Sequence, residues 1–140
     1  MDSTPELMIT LRMPARASRL RLLRCVLHDV TEQFDLPEEE RGNVILAINE
    51  ACMNVIQHAY TNDPEGEIRL DIMRAANSLI FLLQDDAPCV DKKSVQHRDL
   101  ADIRPGGLGV HFIHEIMDEV TFLECAGPGN SLQMVKYFQS

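Results

Sequence analysis

The chain has 140 residues, 45% hydrophobic and 25% charged, which predicts one globular domain with enough chain to bury a core. Its 13 basic and 22 acidic residues give a net charge of −9, which argues against a nucleic-acid or anionic-membrane surface because both attract clustered Lys and Arg. The four cysteines lack zinc-site spacing, and no segment reads as a signal peptide or membrane span, so we expect a reduced, cytoplasmic protein.

The first half of the chain predicts a strand followed by two helices. Apolar residues alternate loosely over residues 6–13 and predict a strand that a proline closes. Ser18 is expected to cap a helix that continues to about residue 34 with one apolar face. A second helix is expected over about residues 35–60, since three glutamates in its first turn suit the positive end of the helix dipole.

The second half predicts two hairpins separated by a loop and a helix. The first hairpin spans residues 67–83, and a long loop without clear periodicity follows over residues 85–105. A helix is expected after residues 106–109, and a closing hairpin occupies about residues 120–138. We therefore predict an α+β fold in a single domain, residues 1–140, with helices on one face of a mixed, mostly antiparallel sheet.

Three polar residues, Glu50, Asn54 and His58, are spaced four residues apart along the second predicted helix. Residues at this spacing share one helix face. A carboxylate and a carboxamide in one row can place a general base beside a ligand for a hard cation. Such a row is more often an ordinary solvated face, so it does not define a site by itself.

Two other segments offer complementary chemistry. Asp85 follows an apolar strand, where a carboxylate can accept a hydrogen bond from the exocyclic amine of a ligand; an ordinary Asp-rich turn is the alternative. The glycine-rich segment 106–109 precedes an apolar helix, where backbone N–H groups can approach an anion; a flexible hinge is the alternative. This segment lacks the GK[ST] ending of a Walker loop and the strand context of a dinucleotide fingerprint.

In this order and at these separations, the three segments resemble the GHKL ATPase superfamily. Within it, the chain is similar to the small anti-sigma-factor serine kinases that phosphorylate anti-anti-sigma proteins. Residues 50–60 match the N box of that family, residues 85–89 stand at its G1 box, and residues 107–109 match its G2 region. The resemblance covers about residues 7–138 and implies a Bergerat-type two-layer α/β sandwich.

The resemblance implies a role for each matching residue. Glu50 would be the general base toward a serine or threonine hydroxyl, Asn54 would ligate the Mg²⁺ that bridges the phosphates, and Asp85 would accept the adenine amino hydrogen. An ATP lid would occupy about residues 87–105. The other residues expected to contact the nucleotide are His58, Ala87, Arg104, Gly106, Gly107, Leu108, Gly109 and Ser131. Helix capping is the alternative for the histidine, and a solvated position in the lid is the alternative for the arginine.

The G1 turn departs from the family pattern Asp-x-Gly-x-Gly, since it reads Asp85-Asp86-Ala87-Pro88-Cys89. Alanine at the first glycine position costs little where φ stays negative, whereas the proline stiffens the turn. The departure bears on affinity and turnover more than on the assignment of the site.

The predicted function is a serine/threonine protein kinase that uses ATP and Mg²⁺, inactivates a small anti-anti-sigma (STAS-type) protein and sequesters a sigma factor. The alternative is a nucleotide-gated protein-binding switch without kinase activity, motivated by the altered G1 turn. The catalytic module of a sensor histidine kinase is a third interpretation, but the 140 residues contain no recognisable dimerisation helix with a phospho-acceptor histidine. The resemblance also implies a homodimer, and direct contact with nucleic acid or a membrane is not expected.

Overall fold

The computed structural model describes residues 4–60, 65–88, 105–123 and 129–138, with the side chains of residues 105–110 excepted. The elements follow the order predicted from the sequence. They are strand β1 (Glu6–Pro14), helix α1 (Leu20–Glu32), helix α2 (Glu38–Asn54) continued by a π-helical turn (Val55–Ala59), strands β2 (Glu67–Arg74) and β3 (Ser78–Asp85), helix α3 (Pro105–Ile116), and strands β4 (Glu119–Leu123) and β5 (Asn130–Tyr137). That residues 1–140 form one domain stays a prediction.

Two helix starts differ from the prediction. Ser18 does not cap α1, because it lies inside a 3-10 turn (Ala17–Arg19) that leads into the helix. Helix α3 begins at Pro105, one turn earlier than expected. Proline suits a first helical position because its φ is already helical. An N–H at that position would have no intrahelical acceptor, so proline loses no hydrogen bond there.

The α+β fold class is confirmed, and the described strands form one five-stranded sheet in the order β1-β2-β3-β5-β4. Each pairing between these strands is antiparallel, whereas a mixed sheet was expected. The reason is the position of β5, which lies between β3 and β4. Those two strands run in the same direction but do not pair with each other.

One face of the sheet carries the hydrophobic core. Alternate residues in the middle of β2 and β3 point to this face and are at most 1% exposed: Ile68, Leu70, Ile72, Leu79, Phe81 and Leu83. Buried residues of α1, α2 and α3 belong to the same cluster, and α2 contacts both other helices. Asp85 continues the inward phase of β3 at the end of the strand and is 8% exposed. Among the helices described, none is long and apolar enough to cross a membrane.

Candidate functional site

Glu50 and Asn54 lie one turn apart at the end of α2, and both side chains are partly buried. Because α2 is regular α-helix up to Asn54, the two share one face, with Cβ atoms about 5–6 Å apart by helix geometry. The carboxylate of Glu50 and the carboxamide of Asn54 therefore lie on one helix face, as the sequence predicted.

The side-chain oxygen of Asn54 is buried and has no hydrogen-bond partner among the described residues. A buried polar atom without a partner costs about 1–3 kcal/mol relative to a paired one, and such atoms are rare in folded proteins. A carboxamide oxygen is also a ligand that Mg²⁺ accepts, usually together with phosphate oxygens and water. This oxygen thus suits the magnesium ion that the family resemblance implies at Asn54.

Beyond Asn54 the helix changes from α to π geometry, and the backbone N–H of Tyr60 donates to the carbonyl of Val55 at 3.0 Å. The wider turn breaks the four-residue period that placed His58 in line with Glu50 and Asn54. His58 is exposed, and its contact with a nucleotide stays a prediction. Single π-helical turns of this kind are frequent at functional sites.

Tyr60 ties the end of this helix to the sheet. Its hydroxyl donates to the carbonyl of Glu67 at 2.7 Å and accepts from the backbone N–H of Asp86 at 2.6 Å. Partial burial raises the pKa of the Tyr60 hydroxyl, so it remains protonated and can donate near neutral pH. The contact brings the Asn54 end of the helix and the Asp85 end of β3 to the same edge of the molecule.

The carboxylate of Asp85 is held through one oxygen. Its Oδ1 accepts from the backbone N–H of Ala87 at 2.9 Å, from the backbone N–H of Asn130 at 3.3 Å and from Asn130 Nδ2 at 2.9 Å. Burial raises the pKa of Asp85, and these three hydrogen bonds oppose the rise because they favour the ionised form.

Residues 129–130 also form hydrogen bonds with the turn that follows Asp85. The backbone N–H of Gly129 donates to the carbonyl of Ala87 at 2.9 Å, and Asn130 Nδ2 donates to the carbonyl of Pro88 at 3.1 Å. Ala87 is 2% exposed, so its side chain is buried; its expected contact with the nucleotide stays a prediction. A turn without glycines is thus stabilised by hydrogen bonds from a distant part of the chain.

The strand register does not bring Ser131 to Asp85. Ser131 pairs with Gln84, while Asn130 pairs with Asp85. Since successive residues of a strand face opposite sides of the sheet, Ser131 lies on the side away from the helices. Asn130, which the sequence reasoning missed as a site residue, occupies the place beside Asp85. Its signal, a polar residue directly after the sequence Gly-Pro-Gly, becomes informative only once the register is known.

The glycine-rich segment that was expected as a loop forms the first turn of α3, with Gly106, Gly107, Leu108 and Gly109 inside the helix. Backbone N–H groups in a first helical turn have no intrahelical acceptor, so they can still donate to an anion. Helix α3 contacts α2, which bears Glu50 and Asn54. Arg104 and residues 89–104 of the expected ATP lid lie outside the described residues.

Comparison with known proteins gives three kinds of match. Residues 13–136 match the family model described as "Histidine kinase-like ATPase domain". The chain is 30% identical, over 144 residues, to "Serine-protein kinase RsbW" of Bacillus mycoides (strain KBAB4), and this alignment covers 94% of the chain and 85% of the relative. The protein of the same name from Bacillus cereus (strain B4264) matches with the same identity and coverage.

Among solved structures, the chain resembles the crystal structure of the RsbU and RsbW domains of Rv1364c from Mycobacterium tuberculosis. The TM-score is 0.63 at 14% identity, over 93% of this chain and 32% of that one. The histidine kinase domain of the blue-light activated kinase EL346 from Erythrobacter litoralis matches with a TM-score of 0.57 at 16% identity, over 90% and 62% of the two chains. The chain therefore spans about a third of the first structure and less than two thirds of the second. At these low identities the similarity shows a shared fold.

Proposed function

The chain belongs to the histidine kinase-like ATPase domain family, and from that premise we propose that it binds ATP with Mg²⁺ and phosphorylates a serine or threonine of a protein. The chain is related to proteins named serine-protein kinase, with 30% identity over 94% of its length. The observation that carries the proposal is the buried side-chain oxygen of Asn54, which has no hydrogen-bond partner in the described part of the chain and lies one helical turn from the carboxylate of Glu50.

In the proposed site each group has a separate task. Asp85 accepts the hydrogen bond of the adenine amino group, and Asn54 holds Mg²⁺ through its side-chain oxygen. The ion, when bound, supplies charge neutralisation on the phosphates. The unpaired N–H groups in the first turn of α3 donate to the phosphate oxygens.

Glu50 is the proposed general base. The γ-phosphoryl group passes from the β–γ bridging oxygen of ATP to the hydroxyl oxygen of the protein substrate, and ADP leaves. Glu50 takes the hydroxyl proton during this transfer. Phosphoryl transfer depends mainly on position and charge neutralisation, so one carboxylate beside a metal ligand meets its chemical needs.

The proposed substrate is a small anti-anti-sigma (STAS-type) protein, and the proposed second partner is a sigma factor that the chain sequesters, as a homodimer. The names of the curated relatives support the kinase part of this assignment. An activity directed at a sigma factor belongs in the cytoplasm, where transcription takes place.

Nucleotide binding is tested by calorimetric titration of the purified chain with ATP and ADP, with and without Mg²⁺. Asn54→Ala is expected to lose magnesium-dependent binding. Asn49→Ala, on the same helix but paired with Arg24 through a hydrogen bond of 2.9 Å, is the matched control and is expected to retain it. Equal binding by the two variants would contradict the role of Asn54.

The kinase step is tested with γ-labelled ATP and candidate STAS-type proteins from the source organism. Glu50→Gln keeps the size of the side chain and is expected to bind ATP like the wild type but to transfer no phosphate. Transfer at an unchanged rate would rule out Glu50 as the base.

A nucleotide-gated switch without kinase activity is the second candidate. It is favoured by the turn after Asp85, where Ala87 stands at the family's first glycine position, Pro88 stiffens the backbone, and hydrogen bonds from Gly129 and Asn130 hold it in place. Under this candidate ATP and ADP bind and change the affinity for a protein partner, while labelled phosphate stays on the nucleotide.

A further inference from the structure

We propose that Asn130 is a specificity-determining residue: it orients the Asp85 carboxylate so that the site selects 6-aminopurine over 6-oxopurine nucleotides. The inference rests on the proposed function, because it takes Asp85 as the acceptor of the adenine amino group. It concerns a residue of β5 that is far from Asp85 in sequence, 45 positions away.

The first support is the set of hydrogen bonds that Asn130 donates to the carboxylate. Two groups of Asn130 donate to the same oxygen, Asp85 Oδ1: the backbone N–H at 3.3 Å and the side-chain Nδ2 at 2.9 Å. The backbone N–H of Ala87 supplies a third donor at 2.9 Å. Three donors converging on one oxygen restrict rotation of the carboxylate, and none of the described hydrogen bonds involves Oδ2. We assign that second oxygen to the ligand.

The second support is that the amide of Asn130 has a defined orientation. Its Nδ2 also donates to the carbonyl of Pro88 at 3.1 Å, so both hydrogens of the amide face acceptors. A flipped amide would point its oxygen at two other oxygens, which is repulsive. Asn130 therefore acts on Asp85 as a donor.

The third support is the conformation of the residue before Asn130. Gly129 has φ = 108°, a region that side chains of L-residues rarely adopt. A Cβ added there would lie 2.5 Å from the carbonyl oxygen of Asp85. Glycine thus permits the close approach of the two segments that brings Asn130 within hydrogen-bond distance of the carboxylate.

The chemistry of the purines explains why orientation determines selectivity. Adenine presents an amino group, a donor, at position 6, and an ionised carboxylate can only accept. A 6-oxopurine presents an acceptor there and a donor at N1, so a carboxylate that rotates can pair with N1–H instead. Because Oδ1 is held by three donors, Asp85 presents Oδ2 as an acceptor in one fixed position, and this position suits the 6-amino group. The hydrogen bonds from Asn130 also favour the ionised carboxylate against the effect of burial on its pKa.

The test compares ATP with inosine triphosphate, each with Mg²⁺, in titrations of the full chain. The wild type is expected to prefer ATP. In Asn130→Ala the affinity for ATP should fall about tenfold or more, because a misoriented Asp85 carboxylate would lose its own hydrogen bond to the adenine amino group. The affinity for inosine triphosphate should stay within about threefold, a change below 0.7 kcal/mol at 1.4 kcal/mol per tenfold.

Two further variants separate orientation from general damage. Asn130→Ser keeps a hydrogen-bond donor on a side chain one atom shorter and should retain part of the preference for ATP. Gln133→Ala, which changes a residue of β5 on the opposite side of the sheet, should bind both nucleotides like the wild type. Circular dichroism spectra confirm that each variant is folded.

The outcomes distinguish the two proposals. If the wild type binds neither nucleotide, both the proposed function and this inference are wrong. If the wild type binds ATP while Asn130→Ala keeps the wild-type ratio of affinities, or loses both affinities by the same factor, Asn130 is only structural. In that case the inference is overturned and the proposed function stands.

Discussion

Replacing Asn54 with alanine should make the ligand-free protein more stable and at the same time remove its response to ligand. The buried oxygen of Asn54 lacks a partner among the described residues, and such an atom costs about 1–3 kcal/mol. Alanine removes this oxygen, and it also favours a helix by about 0.5 kcal/mol. Because the side chain is only partly buried, little packing is lost. We expect the free energy of unfolding to rise by about 1–2 kcal/mol.

Asn49→Ala is the matched control, since it makes the same substitution in the same helix. The side-chain oxygen of Asn49 accepts from Arg24 Nη1 at 2.9 Å, and losing this bond costs about 0.5–1.5 kcal/mol. The gain in helix propensity is the same in both variants and cancels in their difference. Asn54→Ala should therefore be the more stable of the two by about 2 kcal/mol, or roughly 6–8 °C in Tm for a chain of this size.

Magnesium and ATP should reverse this order. Ligand at about a hundred times its Kd stabilises a protein by roughly 2.7 kcal/mol, provided that it binds only the folded state. The wild type and Asn49→Ala should both gain this amount, whereas Asn54→Ala should gain little. Thermal unfolding followed by circular dichroism, with Mg²⁺ and ATP or with a chelator, measures both effects.

Two results would refute the reasoning. If ligand-free Asn54→Ala were less stable than Asn49→Ala, the oxygen of Asn54 would have a structural partner. If Asn54→Ala gained as much stability from magnesium and ATP as the wild type, its side chain would not hold the ion.

Three further predictions concern the surroundings of the site. Gly66→Ala should destabilise the protein by about 1–3 kcal/mol in urea unfolding, because the new Cβ would lie 2.7 Å from the Tyr60 ring. Gly42→Ala, where no atom lies within 4 Å, should stabilise α2 by about 0.5–1 kcal/mol; equal effects at both glycines would contradict this argument. Gly129→Ala should cost at least about 1–2 kcal/mol, because alanine disfavours φ = 108°; an unchanged Tm would show that the turn tolerates a side chain. Since burial raises the pKa of Asp85, the folded state holds its proton to higher pH than the unfolded state. The wild type should therefore lose stability relative to Asp85→Asn as the pH rises above the ordinary value of 3.8, and a parallel pH dependence of the two Tm values would contradict this.

The amino-acid sequence by itself determined the local features of this protein. The order of helices and strands, the row formed by Glu50 and Asn54, and the position of Asp85 at the end of β3 all agree with the structure. These features depend on periodicities of 3.6 and 2 residues, which involve only near neighbours in the chain. Boundaries were less accurate, because helix ends depend on competing signals such as Pro105 at the start of α3.

Only the tertiary structure decided which distant residues meet at the site. The register between β3 and β5 placed Asn130 instead of Ser131 beside Asp85, and a slip of one residue could have put Ser131 there. The bridge from Tyr60 to the backbone of Glu67 and Asp86 likewise needs the helix and two strands in place. Such contacts join residues up to 45 positions apart, and no local pattern specifies them. They follow from packing the whole inward face of the sheet against the helices, which selects one register from several that the strands alone would permit.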